Sequence, residues 1–148
     1  MLTHFFHTMS LPFHEIMHGL FAIPFVVLLY KKTRSLKLVF ILFAVTYFVD
    51  LDHLVDYFMV RGTEFNLREF STGVFFLLTD KRYEPFHAWE WLIILSVISY
   101  KRGWSSIFTA ITLGLLPHFI LDSLSVGSIL FYSIIYRISK EFILFKLS

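Results

Sequence analysis

The chain has 148 residues, 57% of them hydrophobic and 20% aromatic, with only 16% charged and a net charge of +2. An ordinary soluble domain carries roughly 25% charged residues, so this balance excludes a typical water-soluble domain, and the scattered basic residues exclude a nucleic-acid-binding patch. No cysteine is present, which excludes disulfides and thiolate metal sites and leaves His and carboxylate as the strong metal ligands, a set that suits zinc, manganese or iron.

The length fits one domain, residues 1–148, and the composition predicts an all-α, polytopic membrane bundle of about four crossings plus interfacial segments. Residues 1–10 hold no basic residue, and no small-residue cleavage site follows the first apolar run, so a cleaved signal peptide is not expected. Ser10 is placed to cap a helix whose first turn tolerates Pro12. Residues 11–30 form the first expected span, with Pro24 a potential kink, closed by the basic run Lys31 to Lys37. Residues 38–60 form the second. Residues 61–85, punctuated by Gly62, Asn66, Gly73 and Pro85, read as a surface loop with an interfacial or re-entrant piece. Residues 86–100 form a short third span flanked by Trp89, Trp91 and Trp104, as aromatic belts are. Residues 105–125 form the fourth. Residues 126–148 interleave Arg137, Lys140, Glu141 and Lys146 with apolar residues and read as an interfacial helix.

The positive-inside rule places both basic clusters, Lys31 to Lys37 and Lys101-Arg102, in the cytoplasm. Counted from those ends at about 1.5 Å per residue, His18 lies roughly 18–20 Å up its helix, Asp50 roughly 20 Å, His87 roughly 21 Å and His118 roughly 20 Å. Four separate segments thus carry their polar residues to one outer level.

Four constellations occupy that level. His14-Glu-Ile-Met-His18 matches H-E-x-x-H, which sets two imidazoles on one helical face beside a carboxylate; a pair of interfacial histidines is the plainer alternative. Asp50, Asp52, His53 and Asp56 end the second span within two helical turns and are able to face one cavity. Their alternative is a solvated helix end paired with Arg61 or Arg68. His87 and Glu90 share a face at the start of the third span. His118 and Asp122 are an i, i+4 pair inside an apolar run, where an ionisable pair is a functional hypothesis by default. A divalent cation turns such mutually repelling carboxylates into ligands. The expected ligands are therefore His14, His18, Asp50, Asp52, His53, Asp56, His87, His118 and Asp122, holding one to three ions, zinc foremost. Glu15 or Glu90 is the expected proton acceptor for an activated water.

The order His…Asp-x-Asp-His…His…Leu-Gly-x-Leu-x-His-x-x-x-Asp resembles small bacterial membrane-bound metal-dependent hydrolases described as LexA-regulated (YdjM-like). The likeness covers roughly residues 14 to 130. It rests on Asp50-Leu-Asp-His53 and, more specifically, on Leu113-Gly-Leu-Leu-Pro-His-Phe-Ile-Leu-Asp-Ser-Leu124 followed by Gly127. The resemblance implies a distant relation to zinc-dependent phospholipase C and its sister nucleases, with His14, Asp52, His53, His118 and Asp122 as ligands. Where that family usually has a His-Arg-x-x-Thr-His-Ser run, this chain has Phe86-His-Ala-Trp-Glu-Trp91, with one histidine and Glu90 as a candidate substitute.

The leading expectation is a hydrolase of phosphoesters on lipid-borne substrates, in a bacterial-type inner membrane, with its site facing outward and no nucleic-acid partner. An intramembrane zinc protease would use His14, Glu15, His18 and Asp122 but leaves the Asp50 cluster without a role. A metal-binding or transport protein would need acidic residues toward the cytoplasmic ends. A di-iron oxidase would need repeated histidine boxes, which are missing.

Overall fold

The computed structural model describes residues 11–72, 75, 78, 81–143, 146 and 147. The expected Ser10 cap lies outside them. Among the described residues the chain is all-α, with one isolated antiparallel bridge between Lys81 and Ile143 and no strand.

Helix α1 spans Leu11–Thr33 and accommodates Pro24. Helix α2, Leu36–Phe48, starts where the Ser35 side chain accepts the Leu38 N–H at 3.3 Å. It continues through a 3₁₀ turn, Val49–Asp52, into α3, His53–Arg61. Helix α4, Leu67–Thr72, begins with the Asn66 side chain accepting the Arg68 and Glu69 N–H groups. Helix α5 is Trp89–Lys101 and α6 is Ile107–Val126, ended by Gly127 at φ +78, the left-handed position glycine fills without strain. A 3₁₀ turn, Leu130–Tyr132, leads into α7, Ile134–Ser139.

Among the described residues, three helices are long and apolar enough to cross a membrane: Phe13–Thr33, Leu36–Arg61 and Ile107–Val126. The third of the four expected crossings is shorter. Helix α5 has 13 residues, roughly 20 Å against a hydrocarbon core of about 30 Å. Its missing length is the non-helical stretch 83–88, which is folded into the protein.

Helix α6 is the most enclosed of the spans and packs against α1, α2 and α5. The contact with α2 is close: a Cβ on Gly114 would stand 2.6 Å from the Leu42 carbonyl. Thr46 ties the same two helices, its hydroxyl lying 3.0 Å from the Leu42 carbonyl and 3.2 Å from that of Gly114. Ala22, Leu29, Leu42 and Ala110 fill one end of the bundle, and Val49, Leu92, Leu115 and Phe119 the middle. The outward faces are apolar too, with Ile16, Leu20, Phe40, Phe48, Ile93 and Val97 exposed. A surface of this kind matches lipid rather than water.

Candidate metal centre

The beginnings of α1 and α5 and the ends of α2 and α6 meet at one end of the bundle, away from Lys31, Lys32, Lys101 and Arg102. Asp122 is the hinge of what gathers there. Its Oδ1 lies 3.0 Å from His14 Nε2 and 3.2 Å from His18 Nε2. Its Oδ2 lies 3.0 Å from His118 Nε2 and 3.6 Å from His87 Nε2. One carboxylate therefore faces two imidazole pairs, one with each oxygen. Asp50 Oδ1 stands 3.3 Å from the Nε2 atoms of His53, His87 and His118 alike, and Asp50 Oδ2 is buried without a hydrogen-bond partner among the described residues.

The 3₁₀ turn explains how the acidic cluster sorts itself. Residues three apart eclipse in such a turn, so Asp50 and His53 point the same way, into the cluster. Asp52 and Asp56 point elsewhere, which corrects the expectation that all four face one cavity. Asp52 Oδ2 accepts the backbone N–H groups of Phe86 and His87 at 2.7 and 3.2 Å, and its Oδ1 accepts His87 Nδ1–H at 2.9 Å. Asp56 accepts the N–H groups of Tyr83 and Glu84 at 2.7 and 3.1 Å. Asp52 thus orients His87 through its ring and backbone, and Asp56 anchors a loop, although its carboxylate, with His53 and Glu84, forms a set close enough to hold an ion.

The carbonyls of that loop are taken by a side chain the sequence reading left at an interface. Arg137 is fully buried; its Nη1 donates to the Tyr83 and Glu84 carbonyls at 2.6 and 3.0 Å, and its Nη2 to the His87 carbonyl at 2.6 Å. Irregular backbone at membrane depth requires this kind of complete pairing. Glu90 serves the same assembly. Its carboxylate accepts Ser133 Oγ–H at 2.6 Å and the Ile134 and Ile135 N–H groups at 3.0 and 3.2 Å, capping α7. The structure does not bring Glu90 to the imidazoles, so it neither substitutes for a histidine nor reaches a reacting water.

Proton positions follow from the partners. His87 Nδ1 faces a carboxylate and His118 Nδ1 faces the Thr46 carbonyl at 2.8 Å. Both partners only accept, so each Nδ1 donates there and each Nε2 is turned into the cluster. Those two Nε2 atoms are 2.9 Å apart, in a fully buried position beside two carboxylates. Imidazole nitrogens and carboxylates gathered this closely make a donor set suited to a divalent cation. Around a tetrahedral zinc with donors at about 2.0–2.2 Å, neighbouring donors stand roughly 3.3–3.6 Å apart, close to the spacings here. His14, His18 and Asp122, and likewise His87, His118 and Asp122, have ligand atoms within 4.8 Å of one another, as do Asp50, His53 and His87. These groups could hold metal ions, and the second nitrogens of His87 and His118 are fixed as metal-bound histidines require.

A cavity of about 340 Å³ adjoins the cluster. His14, Glu15, Asp50, His53 and Asp122 line it together with Leu51, Phe70, Phe75, Val126, Phe131 and Tyr132. Phe70 and Phe75 are held by edge-on contacts to Tyr57, whose hydroxyl accepts the Asn66 N–H at 2.9 Å. Ser71, Arg82 and Glu84 complete the lining, with Arg82 Nη1 3.6 Å from Glu84 Oε1, which is itself 3.6 Å from His53 Nδ1. Burial pulls the Arg82 pKa down, opposed by Glu84 and Asp56, and a guanidinium so perturbed remains charged at neutral pH. Glu84, at φ +38, is held in its left-handed conformation by Asp56 and Arg137. Sequence reasoning missed Arg82, Glu84 and Arg137; the buried positive-φ glutamate follows no local pattern, whereas a basic residue in an apolar tail was a usable signal.

No family model, curated protein or solved structure matches this chain.

Proposed function

We propose that the protein is a membrane-embedded, metal-dependent hydrolase of phosphoester bonds in lipid-borne substrates, working with two divalent cations, zinc by the chemistry of its donors. The observation that carries this reading is Asp122, whose two oxygens face separate histidine pairs at the wall of a cavity. His14, His18 and Asp122 Oδ1 would hold one ion; His87, His118, Asp122 Oδ2 and Asp50 would hold the other. Bound there, the ions would polarise a phosphoryl oxygen and lower the pKa of a water.

The chain supplies the rest. Glu15 lies on the cavity wall beside His14 and takes the proton of the attacking water. The water oxygen bonds to phosphorus as the P–O bond to the lipid alcohol breaks, and Glu15 returns the proton to the departing alkoxide. The aromatic wall receives the apolar part of the substrate. The cluster's end of the bundle lies opposite the two basic clusters, Lys31 to Lys37 and Lys101-Arg102, which supports a site on the outer side of a bacterial-type cytoplasmic membrane.

A protease using His14, Glu15, His18 and Asp122 leaves the facing nitrogens of His87 and His118 without a role. An ion path is not supported either. Among the described residues of α1, α2, α3, α5 and α6, every carboxylate lies in the half that holds the cluster, and Ala22, Leu29, Leu42 and Ala110 plug the bundle at the other end.

The test is elemental analysis and phosphoesterase assay of purified protein and its Asp122→Ala variant. Two ions per chain and chelator-sensitive hydrolysis are expected, both lost in the variant. A variant that keeps both ions and full activity would overturn the reading.

A further inference from the structure

The cavity pairs the cluster with a cation. Among its described lining residues Arg82 is the one with a permanent positive charge, and it shares the cavity lining with Glu84 and with the candidate ligands Asp50 and Asp122. It is also a placed residue. Its own N–H bonds to the Phe142 carbonyl at 3.0 Å, and the next two residues are fixed by Asp56 and Arg137. Glu84 Oε1 lies between His53 Nδ1 and Arg82 Nη1, so one carboxylate aligns both a candidate ligand and the guanidinium. Size adds a constraint. About 340 Å³ is at the small end for ligand pockets, room for a phosphate and its first carbons while the remaining chain stays in the bilayer. A phosphate monoester needs one such exit for a chain, and a diester needs two.

Resting on the hydrolase reading above, we infer that Arg82 is a specificity-determining residue that binds a terminal phosphoryl oxygen of the substrate, and that the site therefore prefers single-ended lipid phosphate monoesters to phosphodiesters. A guanidinium matches two oxygens of one phosphoryl group, and a monoester keeps oxygens to spare for it after the metal ions have taken theirs. Water then adds to phosphorus, the P–O bond to the lipid breaks, and the products are a lipid alcohol and inorganic phosphate.

The experiment uses the full chain in neutral detergent, loaded with zinc, as wild type, Arg82→Gln and Arg82→Lys. Binding of dodecylphosphonate, which cannot be hydrolysed, is measured by calorimetry beside methylphosphonate. Turnover is measured on dodecyl phosphate and its methyl diester, and metal content is determined on each sample. Arg82→Gln is expected to bind dodecylphosphonate roughly 10- to 100-fold more weakly with its metal content unchanged, and Arg82→Lys to recover part of the loss. The wild-type preference for monoester, at least about tenfold by the same charge-assisted bond, should collapse toward unity in Arg82→Gln. Unaltered phosphonate binding, or an equal loss on both esters, would overturn the inference. Methylphosphonate binding as tightly as dodecylphosphonate would overturn its lipid part and point to free phosphate. Failure of the metal-replete wild type to hydrolyse either ester would sink the hydrolase reading, while the phosphonate arm still decides Arg82.

Discussion

Arg137→Ala should cost more than any other single change outside the ligand cluster. The substitution strands the carbonyls of Tyr83, Glu84 and His87, which now receive its guanidinium at 2.6–3.0 Å. A buried unpaired polar group costs about 1–3 kcal/mol. The loop relaxes in part, so a total of about 3–5 kcal/mol is reasonable for a buried charged residue withdrawn from its partners. The damage is directional, because the loop carries His87. The ion shared by His87, His118 and Asp122 should be lost or weakened, while the set of His14, His18 and Asp122 Oδ1, on other helices, keeps its own. Elemental analysis should fall from two ions per chain toward one, and unfolding followed by tryptophan fluorescence should shift down by roughly 10 °C. Arg137→Lys should be intermediate, since one ammonium cannot span carbonyls that the planar fork reaches with separate nitrogens. An Arg137→Ala protein with two ions and an unchanged midpoint would refute the argument that the tail positions the loop.

The two carboxylates of the 3₁₀ turn should behave differently. Asp52→Asn should weaken metal binding about 10–100-fold by loosening His87, whereas Asp50→Ala should remove the ion at His87 and His118; titration with zinc and a competing chelator distinguishes them. Glu15→Gln should keep its metal and lose about 10²–10⁴-fold in turnover, while Glu90→Gln should leave turnover intact and destabilise the fold by about 0.5–2 kcal/mol through the α7 cap, as denaturation would show. Gly114→Ala drives a methyl to 2.6 Å from the Leu42 carbonyl, and overpacking of that kind costs about 1–3 kcal/mol, measurable as a lowered unfolding midpoint.

The all-α membrane architecture was legible because apolar runs of spanning length announce themselves, and counting helical rise from the basic ends placed His18, Asp50, His87 and His118 together. What could not be read locally was the division of labour among the acids. Asp52 and Asp56 look identical to Asp50 in sequence, and only the 3₁₀ turn and a backbone segment some thirty residues later separate them. Glu90 shares a helical face with His87 on paper, but the helix starts at Trp89, so His87 belongs to a loop and Glu90 to the cap of α7. The third span was overestimated for the same reason: the residues before Trp89 are non-helical and tied down by Asp52, Asp56 and Arg137.

The central claim is that cations sit among the converging imidazoles and carboxylates. An anomalous-scattering map of crystals grown near pH 7.5 without chelator, recorded at the zinc edge, tests it most directly. Two peaks are predicted, one between His14, His18 and Asp122 and one between His87, His118 and Asp50. A map with no peak, and with the nitrogens of His87 and His118 still in contact, would contradict the account.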